Sequence, residues 1–113
     1  MTTEEFRQLA LLLPESVESS HMGHPDFRVG GKIFATIAPD GCSGMAKLNP
    51  EQQAWFLTNA AGSFTPAAGA WGVRGATMIG LERADESLVR KALNAAWRNT
   101  ALKKLVHLID DVR

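Results

Sequence analysis

The stretch FRVGGKIFATI, residues 27–37, places a short extended run on either side of a glycine pair, Gly30 and Gly31. Glycine takes the positive φ needed at both centres of a type I′ turn, and two-residue loops are the commonest links between paired strands. The stretch therefore predicts a β-hairpin. A period of two in the returning strand groups Ile33, Ala35 and Ile37 on one face, with Lys32, Phe34 and Thr36 on the other. A phosphate loop would need Gly-Lys-Ser/Thr, or spaced glycines between a strand and a helix. Here Ile33 follows Lys32 and the chain runs on as strand, so the pair turns the backbone and does not cradle a nucleotide.

Outward from the hairpin, residues 15–24 carry no helical stripe and are expected as a polar strand beside it. Before them, TTEEFRQLALLL combines a Thr2–Glu5 capping box with Phe6, Leu9, Leu12 and Leu13 at helical spacing, ended by Pro14. After the hairpin come a turn at PDGCSG and a strand around MAKL. In NPEQQAWFLTNAAG, Asn49 caps, Pro50 takes the first helical position and Gln52 closes the box, with Ala54, Phe56 or Leu57, and Ala60 facing inward. FTPAAGAWGVRG is expected as loop and ATMIGLE as strand, with the internal Gly80 either weakening that strand or marking a bulge. A long helix begins near Asp85 and gathers Leu88, Val89, Ala92, Leu93, Ala96 and Trp97 on one side. Leu102, Leu105, Leu108 and Ile109 fall out of phase with that stripe. A break near Asn99–Ala101 follows, and those leucines offer a surface for a partner protein or self-association. The sum is an α+β fold: an antiparallel sheet packed by N-terminal, middle and long C-terminal helices, not a doubly wound sheet.

A chain of 113 residues that is 45% hydrophobic suits one domain over 1–113. A single cysteine, Cys42, excludes an intrachain disulfide. No apolar run reaches membrane-spanning length, and the acidic start TTEEF lacks the order of a signal peptide, so a cytoplasmic protein without a membrane partner is expected. Twelve basic and twelve acidic residues cancel, but residues 1–60 hold four basic and seven acidic groups against eight and five in 61–113. That asymmetry permits a basic face without the strongly basic composition typical of nucleic-acid-binding domains.

Candidate chemistry is sparse. His21, His24 and Asp26 resemble a metal set, but extended backbone points the two histidines to opposite faces unless a turn intervenes. The ordinary reading gives His24 and Asp26 local structural work around the hairpin, and no metal or other cofactor is assigned. Cys42 lies in DGCSG without a catalytic-cysteine neighbourhood, and Glu15 with Glu18 forms no evident acid/base pair. A small enzyme using His24, Asp26 and Cys42 is the weakest reading. Phosphate contact has more support: Arg90, Lys91 and Arg98 share the polar side of the long helix, Lys103 and Lys104 follow, and Arg28, Lys32 and Arg74 extend the field if the fold brings them alongside. Trp71, in AGAWGVRG, is either a recognition residue or a lid over the core, and burial is the favoured outcome.

Four segments in order, GHPDFRVGGKIFATI, LNPEQQAWF, AWGVRGATMIGLE and ALNAAWRNTALKKL, resemble the MmcQ/YjbR family over nearly the whole chain. The matching positions run from Gly23 to Lys32 without a gap and include Phe34, Pro50, Trp71, Gly72 and Trp97. The resemblance implies a frataxin-like (CyaY-like), double-wing α+β domain and a DNA-binding role, with no catalytic residue set to carry over. This chain has Met22 where relatives often carry an aromatic residue, and Val73, Ala76 and Met78 in a segment that is more basic and aromatic among them. The implied function is a small noncatalytic binding protein that attracts DNA phosphates with basic side chains, hairpin and loop residues adding shape recognition; the alternative is a protein-interaction module.

Overall fold

In the computed structural model, which describes residues 1–102, the chain opens with α1 (Thr3–Leu11). The Thr2 hydroxyl accepts from the Glu5 amide while Glu5 accepts from the Thr2 amide, the reciprocal cap that the sequence predicts. The chain then runs through β1 (Val17–His21), β2 (His24–Val29), β3 (Lys32–Ile37), β4 (Ser43–Lys47), α2 (Pro50–Asn59), β5 (Phe64–Pro66), α3 (Gly69–Val73), β6 (Ala76–Gly80) and α4 (Glu86–Thr100). Six antiparallel strands lie in the order β1-β2-β3-β4-β6-β5. The fold is thus the expected α+β class.

Gly30 and Gly31 sit at φ +59° and +79°, as the hairpin requires. A second two-residue hairpin of the same kind precedes it: Met22 and Gly23, at φ +52° and +83°, join β1 to β2 and set His21 directly opposite His24. Strand pairing then defines two rows across the sheet. Glu18, Phe27, Ala35, Ala46, Thr77 and Pro66 oppose one another along one row, and Phe27, Ala35, Ala46 and Thr77 are fully buried. The alternating row, Ser19, Asp26, Thr36, Met45, Met78 and Thr65, points to the other face.

The helices cover the first face. α4 packs on β3, β4 and α1, presenting Val89, Ala92, Leu93, Ala96 and Trp97 to the core. The Trp97 indole N–H donates to the Pro14 carbonyl at 2.9 Å, which ties α4 to the exit of α1. Phe56 of α2 stacks on Phe64 of β5, ring centroids 4.8 Å apart. Phe56 is the sole fully buried residue of that helix, and Ala54, expected in its inward stripe, is exposed. Half-buried Gln53 instead turns inward and donates to the carbonyls of Gly72 and Ala76, both at 3.0 Å. α4 ends at Thr100 with Ala101 in extended backbone, so the break near Asn99–Ala101 is present. Leu102 is exposed, while Leu105, Leu108 and Ile109 lie outside the described residues. No helix among the described residues is long and apolar enough to cross a membrane.

Further sequence expectations need correction. FTPAAGAWGVRG, expected as loop, contains β5 and α3, because pairing with β6 and the Gln53 hydrogen bonds order a segment with little intrinsic preference. The bulge is in β3, not at Gly80: Arg28 pairs with Ile33 and Phe27 with Ala35, leaving Phe34 as the extra residue. Ile33 is therefore out of step with Ala35 and Ile37, and it lines the same depressions as Thr36.

Candidate functional site

The second face of the sheet has no helix of the α1, α2, α4 layer over it, and it is recessed. A depression of about 490 Å³ is floored by Ile33, Thr36 and Met45 and edged by His21, Arg28, Lys32, Lys47 and Trp71. Toward the β1–β2 tip it meets a smaller hollow of about 210 Å³, sharing His21, Ile33 and Thr36 with it. In the other direction it shares Lys32 and Lys47 with a hollow of about 380 Å³ that reaches Arg74, Asn49, Asn99 and Thr100. The shared walls make one path across the strands, from Met22 at one end to Arg74 at the other.

Its charge is set by which cations have carboxylate partners. Arg28 donates to both oxygens of Asp26, at 2.9 and 3.0 Å, and Asp26 is only 1% exposed. A buried carboxylate is costly unless it is paired and hydrogen-bonded, and the guanidinium fork supplies both. These hydrogen bonds hold the Arg28 pKa above its ordinary value. Asp26 thus does its structural work beside the hairpin through Arg28. Lys32, Lys47 and Arg74 have no ion pair among the described residues. Lys47 instead lies with its Nζ 6.0 Å from the centroid of the Trp71 ring, at the edge of cation–π range.

Trp71 overturns its expected burial: it is 59% exposed. Trp97 and the five phenylalanines Phe6, Phe27, Phe34, Phe56 and Phe64 already fill the core, and α3 is held through backbone carbonyls, so the indole is left at the rim of the groove. Lys47 and Met45 escaped the sequence reading. Both were legible, since a period of two through MAKL puts them on one face.

The other candidates lie elsewhere. Arg90 pairs with Glu86 at 3.1 Å and edges a hollow between α1 and α4 with Leu9, Leu12 and Leu13. Lys91 sits 4.2 Å over the ring of Trp55 from α2. Arg98 donates to Asn94 within α4 at 2.8 Å. The six basic residues singled out from the sequence thus do not form one surface: Arg28, Lys32 and Arg74 meet along the groove, while Arg90 and Lys91 belong to the helical layer. The Met22–Gly23 turn brings His21 and His24 together, but no group of three His, Cys, Asp or Glu side chains among the described residues is placed to hold a metal ion. Cys42 is exposed, bonds to Asp40 and lines a separate hollow with Met1, Thr2 and Leu81. It shares no depression with His24 or Asp26.

Comparison with known proteins agrees with this architecture. The crystal structure of the Deinococcus radiodurans protein DR2400, described by the family-model domain DUF419, superposes with a TM-score of 0.71. It is 19% identical and the match covers 85% of this chain and 75% of that one, a likeness of fold. No curated protein matches the sequence. The family model described as YjbR matches residues 11–99, a span holding every strand, α2, α3 and nearly all of α4. The chain belongs to the YjbR family.

Proposed function

We propose that this protein is a noncatalytic DNA-binding protein whose contact surface is the open sheet face between Met22 and Arg74. The observation that carries this reading is the gathering of Lys32, Lys47 and Arg74, without carboxylate partners among the described residues, along one recessed path beside exposed Trp71. Phosphate contacts position a nucleic acid and supply most of its salt-dependent affinity through counterion release. Cations already paired in the fold add little to that term, so Arg90, held by Glu86, contributes least.

The test is DNA binding titrated against salt for the natural sequence and two charge-reversal variants. Binding should weaken as salt rises, with a log–log slope near −0.9 per phosphate contact. Lys32→Glu with Lys47→Glu and Arg74→Glu should weaken binding at least about tenfold and flatten the slope by up to about three contacts' worth. Arg90→Glu with Lys91→Glu should leave both unchanged. Absence of binding at low salt sinks the proposal, and equal sensitivity to both variants rejects this surface.

A further inference from the structure

We infer that the groove is built for single-stranded DNA and not for a duplex, an inference that rests on the DNA-binding reading above. Its floor is recessed and largely apolar, formed by Ile33 and Met45 with Thr36 between them. Duplex phosphates lie on a convex surface and gain nothing from a sunken apolar floor. Reading a duplex through its major groove calls for a projecting helix or two-stranded ribbon, and the helices α1, α2 and α4 pack on the opposite face of this sheet. The β1–β2 ribbon turns at Met22–Gly23, and its tip carries no Lys or Arg. Arg28, near the base of that ribbon, is held by Asp26.

Unpaired bases fit what the groove offers. A single strand exposes both its π-faces and its phosphates, and sequence-tolerant binders meet them with an aromatic platform beside a basic track. Here the platform is the Trp71 indole and the track is Lys32, Lys47 and Arg74. The two are joined at Lys47, whose ammonium stands 6.0 Å from the indole centroid, so one base on the ring places its own phosphate beside that cation. The indole is also presented on a fixed support: Gln53 holds the Gly72 and Ala76 carbonyls on either side of the α3 exit, and the Ala67 amide donates to Ala76 at 2.9 Å. A ring carried on a backbone that is already held has less freedom to lose on stacking.

Binding of labelled single-stranded oligo-dT and of a mixed-sequence duplex of equal length, at low salt, separates the possibilities. The natural sequence should hold the single strand more tightly than the duplex. Trp71→Ala should weaken single-strand binding about tenfold without changing any duplex binding, and Trp71→Phe, which keeps a ring, should recover most of it. Thermal unfolding of each variant checks that the fold is retained. Duplex binding as tight as single-strand binding overturns the inference, as does a single-strand affinity indifferent to Trp71→Ala; either result leaves the DNA-binding reading standing. Failure of both probes to bind the natural sequence overturns both.

Discussion

Met22 holds a left-handed backbone, φ +52°, at a hairpin tip where 84% of its surface is exposed. For a residue with a Cβ that conformation costs about 1–2 kcal/mol, and asparagine before glycine is the order that a type I′ turn favours. Met22→Asn is expected to stabilise the protein by about 0.5–1 kcal/mol, seen as a higher urea midpoint at unchanged m-value. A lower midpoint would show that the methionine side chain supports the turn. At the same scale, the sequence announced Asp26 and Arg28 as neighbours of the hairpin but not as each other's partner. Residues two apart on a strand share a face, yet whether they pair depends on how far the sheet buries the carboxylate, and burial is a property of the whole packing.

Among elements, the contact of α1 with β4 passes through Gly44. A Cβ there would stand 2.7 Å from two carbons of the Phe6 ring, and Phe6 is itself fully buried in the core. Gly44→Ala is therefore expected to cost about 1–3 kcal/mol in urea unfolding, because the ring has no free space to retreat into. A neutral result would mean that α1 slides along the sheet. The elements that the sequence specifies best are those fixed locally: the caps at Thr2 and Asn49 receive the amide hydrogen bonds expected of them, and the long helix begins at Asp85, which accepts from the Leu88 amide. α3 was illegible for the opposite reason. Its five residues, GAWGV, carry no side-chain cap, and what orders them is Gln53, 19 residues from Gly72 in the chain. Trp71 followed it into obscurity, since a ring on an unseen helix has no assignable side.

At the scale of the molecule, formal charge cancels while its arrangement does not. On the helical side Arg7 is shared by Glu4 and Glu18, and Arg90 is held by Glu86; the groove keeps Lys32, Lys47 and Arg74 without such partners among the described residues. Near its isoelectric point of about 6.8 the protein is expected to be retained on a cation-exchange resin at low salt. Lys47→Glu with Arg74→Glu should abolish that retention, while Arg90→Glu with Lys91→Glu, an equal change in formal charge, should reduce it less. Equal elution of the two variants would mean that total charge decides, not the patch.

The bulge at Phe34 gives the groove an unusual kind of vulnerability. Substitutions on β3 alter one side chain at a time, but one residue gained on β2 between Phe27 and Arg28 would give Phe34 a partner, put Ile33 back in step with Ala35 and Ile37, and turn it from the groove floor toward the helices. Strand length, as much as strand composition, thus guards the binding face. Relatives that differ by a single insertion opposite the bulge would share the fold and differ in the surface they offer.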